Sequence, residues 1–188
     1  MQWFASQLKA GGFAPSIFSY PSVAGGPEAA VPRLVQRLRE LEAAHVVAHS
    51  LGGLIALQAL CAEPELPVSR LVCLGSPLRG SGAVSGVLTQ FPATSLMLGR
   101  SAALLQQGFA CWEGRVEVGA IAGRVPRGLG ALFAGFSGEH DGTVAVEETQ
   151  LPGLTDHVVV EASHSGLLFS AEAAHYAIAF LRDGHFPH

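Results

Sequence analysis

Charged residues are scarce in this chain, and no stretch of it concentrates positive charge. Asp, Glu, Lys and Arg together make up 14% of the 188 residues, and the formal net charge is -4. Proteins that hold nucleic acid or an anionic membrane surface electrostatically carry clustered lysine and arginine. Because no such cluster occurs, the sequence disfavours nucleic acid as a partner.

Long uninterrupted apolar runs are also lacking, although 49% of the residues are hydrophobic. A membrane-spanning helix needs about 18 to 20 consecutive apolar residues, and Glu117, Arg124 and Arg127 break the longest apolar stretches. The first six residues lack the basic region and apolar core of a signal peptide. We therefore predict no transmembrane segment, no signal peptide and a cytoplasmic location.

Cysteine is rare, with three residues at Cys61, Cys73 and Cys111. Three cysteines cannot all pair within one chain, and Cys61 and Cys73 fall where a helix and a strand take small apolar residues. This usage is typical of a reducing compartment. No His and Cys spacing resembles a structural metal site, and no glycine-rich loop resembles a phosphate cradle, so no metal and no cofactor is implied.

Strand-like and helical patterns alternate along the chain, which we interpret as one domain over 1–188. Apolar runs of strand length occur at 16–20, 45–48, 70–75, 116–122 and 156–161, and helical spacing occurs at 27–41, 53–60 and 171–182. This alternation predicts an α/β fold: a mostly parallel sheet of about five or more strands with helices on both faces. Residues 77–115 show no clear strand, and their apolar residues would form a small helical cap or cover the sheet.

A serine between small residues is the most informative motif. The segment Ala48-His49-Ser50-Leu51-Gly52-Gly53 joins the predicted strand 45–48 to a helical pattern. Small flanking residues allow the sharp strand-to-helix turn that presents a serine hydroxyl, and Ala48 adds one methyl where the general pattern has glycine. A serine that only caps the following helix is the alternative interpretation.

A reactive serine needs a base, and the base needs a carboxylate that fixes its tautomer. On this kind of turn the chain order is Ser, then Asp or Glu, then His, with each residue just beyond the carboxyl end of a strand. Asp141 and His164 satisfy both conditions. His140 is the rival base, and Asp156 and Glu161 are the rival acids.

These motifs together resemble the α/β-hydrolase superfamily, in particular its small bacterial lipase-like and esterase-like members. Residues 46–53 look like the family's Val-x-Gly-His-Ser-Leu-Gly-Gly turn, 141–144 like its acid loop and 163–166 like its histidine loop. The resemblance covers nearly the whole chain, and three motifs in the right order are far more specific than any one of them.

The resemblance implies a serine hydrolase that cleaves carboxylic esters. Ser50 would be the nucleophile, Asp141 the orienting acid and His164 the general base and then acid. The backbone N–H of Leu51 would be one oxyanion donor. The substrate would be a small-molecule ester or lipid, with thioesters and amides as alternatives that use the same machinery. The apolar stretches 83–112 and 129–136 would line an acyl pocket.

One part of the family's pattern is absent. Its members carry a strand and a His-Gly loop upstream of the first helix, and that loop supplies the second oxyanion donor. Here Met1 already lies in a helical pattern. We expect either that a strand is encoded upstream of Met1 or that 16–20 pairs directly with the strand 45–48. Since loss of one donor lowers kcat by ~10² to 10³, a hydrolase-fold binding or assembly protein with impaired catalysis is the alternative function.

Overall fold

Four parallel strands form the sheet in the computed structural model, which describes residues 1–20, 26–81, 101–127 and 138–187. The strands lie side by side in chain order, each in parallel register with the next. They are β1 (Ala44–His49), β2 (Val68–Leu74), β3 (Glu117–Gly123) and β4 (Asp156–Val160). Because all four run in one direction, their carboxyl ends meet at one edge of the sheet.

Helices cover both faces of this sheet. They are α1 (Gln2–Ala10), α2 (Gly26–Arg39), α3 (Leu51–Ala62), α4 (Ala102–Gln107), α5 (Val146–Thr149), a 3₁₀ helix (Gly166–Phe169) and α6 (Ala171–Asp183). When successive parallel strands are added in one direction across a sheet, right-handed connections place the helices between them on the same face. Accordingly α2, α3 and α4 contribute to one buried cluster, and α1 and α6 to the other.

The two central strands are the most buried, as expected for a parallel sheet covered on both sides. Leu71, Val72 and Cys73 of β2 and Val118 and Ile121 of β3 have essentially no solvent exposure. This explains why their segments are continuous apolar runs. The outer strand β1 is less enclosed, and of its residues Ala48 alone is classed as buried.

The predicted strand at 16–20 is wrong. Those residues are irregular, and within the described chain β1 is an edge strand that pairs with β2 only. The preceding Phe13 packs against the cluster of α1 and α6, and its ring meets His45 edge-on at 6.0 Å. Phe18 and Tyr20 pack against the opposite cluster. The chain from Phe13 to Tyr20 therefore passes the edge of the sheet from one face to the other and does not pair with β1.

The region predicted as a cap is described only in part. Residues 82–100 lie outside the described residues, so the cap itself stays a prediction. In the described part, Leu104 and Leu105 of α4 and the following Trp112 are buried in the first cluster. These three residues thus cover the sheet.

The last helix agrees closely with its predicted bounds. The Ser170 hydroxyl accepts a hydrogen bond from the Ala173 N–H at its start, and Gly184 ends it with a positive φ of 83°. A left-handed glycine is the usual residue that ends a helix in this way. Among the described residues no helix has the length and apolarity needed to cross a bilayer.

Candidate active site

The parallel strands bring Ser50, Asp141 and His164 to one edge of the sheet. Ser50 follows β1 directly, His164 lies four residues beyond β4, and Asp141 lies in the connection between β3 and β4. His164 Nε2 is 3.0 Å from Ser50 Oγ, and His164 Nδ1 is 2.8 Å from Asp141 Oδ2. The three side chains therefore form one hydrogen-bonded chain.

The backbone at Ser50 is strained. Its φ of 56° and ψ of -127° make it the one non-glycine residue with positive φ in the described part of the chain. Such a conformation costs about 1 to 3 kcal/mol and persists only where neighbours impose it. Here the Ser50 N–H donates to the carbonyl of Leu74 at 2.9 Å, which attaches the turn to the end of β2. The turn thereby points the hydroxyl away from the sheet edge toward His164.

The small residues of the motif have different steric roles. A Cβ on Gly53 would lie 2.7 Å from Ser76 Cβ and 3.1 Å from Cys73 Sγ, so only glycine fits between α3 and the end of β2. A Cβ on Gly52 would lie an ordinary 3.6 Å from Ala48 Cβ. The extra methyl of Ala48 is thus accommodated without overlap.

Asp141 is a buried carboxylate whose oxygens are hydrogen-bonded. Its side chain is 1% exposed, and Oδ1 accepts from the N–H groups of Thr143 and Val144 at 2.9 and 2.8 Å. Buried carboxylates require such partners. Since an ionised carboxylate only accepts, His164 Nδ1 carries the proton that it donates to Oδ2, and Nε2 is left to accept from the Ser50 hydroxyl.

Two contacts of the main chain hold His164 in place. Its N–H donates to the carbonyl of Asp141 at 2.9 Å, and its own carbonyl accepts from His49 Nε2–H at 2.9 Å. Burial and the neighbouring His164 lower the pKa of His49 to about 4. His49 is therefore neutral at pH 7, and Nε2 must carry its proton in order to donate to a carbonyl.

Gly75 is a further residue of the site that the sequence analysis missed. Its φ is 52°, and a Cβ there would lie 3.1 Å from Asp141 Oδ2, 3.2 Å from His164 Nδ1 and 2.8 Å from Leu167 Cδ1. Any side chain would separate or displace the Asp–His pair. A glycine at the carboxyl end of the predicted buried strand 70–75 was the available signal. The contact of His49 with His164 was missed as well, because residues that are 115 positions apart leave no local pattern in the sequence.

The rival residues have other partners. His140 Nδ1 accepts from the N–H of Gly142 at 3.2 Å. Asp156 accepts from the backbone N–H groups of His157 and Phe186 at 2.8 and 2.7 Å. Glu161 pairs with the guanidinium of Arg124 at the surface. Of the candidate acids and bases, the structure brings Asp141 and His164 to Ser50.

Leu51 is the first residue of α3 and follows Ser50 directly. The first N–H groups of a helix have no acceptor within the helix, and the helix dipole makes this end partially positive. The predicted acyl-pocket stretches are largely undescribed, since 82–100 and 128–137 lie outside the described residues. Among all the residues that the structure describes, no three His, Cys, Asp or Glu side chains lie close enough together to hold a metal ion.

No family model matches the sequence, and no curated protein matches it. Several solved structures share its fold. The mature form of the lipase BlEst2 from Bacillus licheniformis has a TM-score of 0.65 at 20% identity, with 83% of this chain and 73% of that chain covered. The pyrethroid hydrolase PytH has a TM-score of 0.57 at 16% identity, covering 97% and 92%.

A third similar structure is the phospholipase PlaB from Legionella pneumophila, with a TM-score of 0.55 at 19% identity. The match covers 79% of this chain and 41% of that chain, so it concerns less than half of the phospholipase. Together with the parallel sheet and its covering helices, these similarities show that the chain has the α/β-hydrolase fold.

Proposed function

We propose that this chain is a serine hydrolase that cleaves carboxylic esters through an acyl-enzyme on Ser50. The observation that carries the proposal is the chain of hydrogen bonds from Ser50 Oγ through His164 to Asp141, with lengths of 3.0 and 2.8 Å. A serine adjacent to a base that is itself oriented by a carboxylate is the arrangement that activates a hydroxyl. The strained turn at Ser50 supports the same role, because such strain is concentrated at functional sites.

The reaction would proceed in two steps. First, His164 Nε2 accepts the proton of Ser50 Oγ while Oγ attacks the ester carbonyl carbon, and the imidazolium then donates that proton to the departing alcohol. Next, water gives a proton to Nε2 and attacks the acyl carbon, and the imidazolium returns that proton to Ser50 Oγ as the acid departs. Asp141 keeps the proton on Nδ1 throughout and stabilises the imidazolium.

Negative charge on the carbonyl oxygen would be stabilised by the backbone N–H of Leu51. This amide follows the serine and lies at the positive end of α3, where an anion is favoured. One oxyanion donor is worth ~10² to 10³ in kcat. Loss of the Leu51 donor would therefore lower kcat by about that factor.

The substrate that we propose is a small-molecule ester or a lipid ester. Two proteins of similar fold are a lipase and a phospholipase by name, which supports this substrate class. Thioesters and amides react through the same intermediates. Hydrolysis rates on matched p-nitrophenyl, thioester and anilide substrates of the same acyl chain would decide between the three.

Covalent labelling with a fluorophosphonate tests the serine directly, since only an activated serine attacks phosphorus at a useful rate. We expect the wild-type chain to be labelled and Ser50→Ala to remain unlabelled. Ser165→Ala is the matched control, because Ser165 is exposed and lies beside His164 in the sequence. Labelling that persists in Ser50→Ala would refute the proposal.

The partners of Ser50 are tested by His164→Ala and Asp141→Asn. The first should remove nearly all labelling, and the second should fold normally but lose turnover by up to ~10⁴, because the asparagine no longer holds the required tautomer. Near wild-type turnover in Asp141→Asn, together with inactivity of Asp156→Asn or Glu161→Gln, would contradict the assignment of the acid. Ester binding without labelling or turnover would instead favour the binding or assembly function.

A further inference from the structure

The turn that carries Ser50 touches the main chain of His164 through a second histidine. His49 Nε2 lies 2.9 Å from the carbonyl oxygen of His164, and the two imidazole rings are 4.7 Å apart at an angle of 45°. His49 and His164 are 115 residues apart in the sequence. The contact therefore connects two segments that are far apart in the sequence, namely the turn that carries Ser50 and the loop after β4.

The protonation state of His49 suits this contact. Desolvation is the largest influence on its pKa, and the nearby His164 lowers it further, whereas the hydrogen bond to the His164 carbonyl and the Asp141 carboxylate oppose the shift. With a pKa of about 4 the ring stays neutral over the working range of an imidazole base. A neutral ring also leaves the imidazolium that would form at His164 free of a cationic neighbour.

We propose that His49 is a positioning residue, whose Nε2–H fixes the main chain of His164 relative to the turn that carries Ser50. This inference rests on the function proposed above and goes beyond it, because it concerns how the main chain of His164 is held and not which atoms react. With the His164 N–H bonded to Asp141 and its carbonyl bonded to His49, both peptide groups of the base are held.

Holding both peptide groups fixes where the imidazole Nε2 lies. A side chain that rotates about few bonds follows its main chain, so a shift of the His164 loop would lengthen the 3.0 Å separation between Nε2 and Ser50 Oγ. A displacement of about 1 Å between reacting groups lowers rates by about 10²-fold. His49 directly precedes Ser50, so its hydrogen bond ties the His164 loop to the turn that carries the nucleophile and opposes that displacement.

Two amide variants separate this role from simple packing. In His49→Gln the amide nitrogen can lie about as far from Cβ as Nε2 does in histidine, so the donor is retained. In His49→Asn the same amide group is one methylene shorter and falls at the distance of Nδ1. The pair thus keeps the amide group, and its members differ by one methylene and by whether a donor reaches the His164 carbonyl.

We expect the second-order rate of fluorophosphonate labelling to fall by about 10- to 100-fold in His49→Asn, and to remain within about threefold of wild type in His49→Gln. Proton NMR gives a readout that needs no activity: the low-field resonance of the proton between His164 Nδ1 and Asp141 Oδ2. It should be retained in His49→Gln and broadened or lost in His49→Asn.

Unfolding in urea, measured on the same samples, distinguishes the outcomes. Equal labelling and equal low-field resonances in both folded variants would overturn the positioning role while leaving the proposed function intact. If His49→Asn does not fold, His49→Met, which keeps bulk without a donor, takes its place, and failure of both to fold assigns His49 to folding alone. A wild-type chain that is never labelled refutes the proposed function, and the NMR comparison then still tests the contact.

Discussion

At the scale of single residues, the backbone of Ser50 and the titration of His49 are both set by distant parts of the chain. Ser50 has a positive φ, and His49 is kept neutral by burial and by His164. Both states depend on neighbours that come from distant parts of the chain, namely Leu74 and His164. Contacts with the rest of the folded structure therefore keep each of the two residues in its state.

The titration of His49 should be visible in the stability of the protein. In the unfolded chain a histidine has a pKa near 6.5, whereas that of His49 in the folded state is lowered to about 4. Between these values the unfolded state binds the proton and the folded state does not. Stability contributed here is therefore present above about pH 6.5 and is lost as the pH falls toward 4, by about 3 kcal/mol in total.

Urea unfolding of wild type and His49→Gln at a series of pH values measures this effect. His45 and His157, whose pKa values are lowered mainly by burial, titrate in both proteins. Their contributions cancel in the difference between the two free energies of unfolding. We expect that difference to grow in favour of wild type as the pH rises through the window, and a difference independent of pH would contradict it.

At the scale of elements, the start of α3 is fitted against the end of β2. Gly53 lies against Ser76 and Cys73, whereas Gly52 faces Ala48 at an ordinary van der Waals distance. Two adjacent glycines of one motif thus experience opposite constraints. The first position has space for a methyl group and the second has none.

Alanine substitutions at these two positions should consequently differ in sign or size. Gly53→Ala forces the helix away from β2, and overpacking of this kind costs about 1 to 3 kcal/mol. Gly52→Ala meets no overlap and gains about 0.5 to 1 kcal/mol from the better helix propensity of alanine. Chemical unfolding of the matched pair tests this, and equal destabilisation by both would show that helix–strand contact is not the constraint.

At the scale of the whole molecule, the two ends of the sheet have separate tasks. The carboxyl ends carry Ser50, Asp141 and His164, while near the amino ends Arg70 of β2 binds the last helix. Its guanidinium donates to the carbonyls of Leu181 and Arg182 at 2.9 and 2.8 Å and to Glu117 at 2.6 Å. A cation near the carboxyl end of a helix also interacts favourably with the helix dipole.

Loss of this connection should lower stability without changing the site. Arg70→Met removes charge-assisted hydrogen bonds and should lower the free energy of unfolding by about 1 to 3 kcal/mol. Glu117→Gln, the control, removes only a half-exposed ion pair and should cost about 0 to 1 kcal/mol. Labelling of Ser50, measured well below the unfolding temperature, should be unchanged in both, and a large loss of labelling in Arg70→Met would show that the two ends are coupled.

Four of the five predicted strands, and the segments that carry Ser50, Asp141 and His164, follow from local patterns in the sequence. Continuous apolar runs predict β1 to β4 because buried parallel strands need apolar residues on both faces. The motif around Ser50 and the order Ser, Asp, His come from local patterns that any reader of the chain can recognise. Gly184 likewise predicts the end of α6, because a left-handed residue ends a helix wherever it occurs.

Which of these residues meet depends on how the strands and helices pack together. Residues 16–20 have the composition of a strand, but pairing depends on neighbours, and the chain from Phe13 to Tyr20 passes the edge of β1 from one face of the sheet to the other. The contacts of His49 and Gly75 with His164 join positions far apart in the chain. Local periodicity reports which face of an element is apolar, whereas such contacts follow from how elements pack, and no single segment of the sequence encodes that.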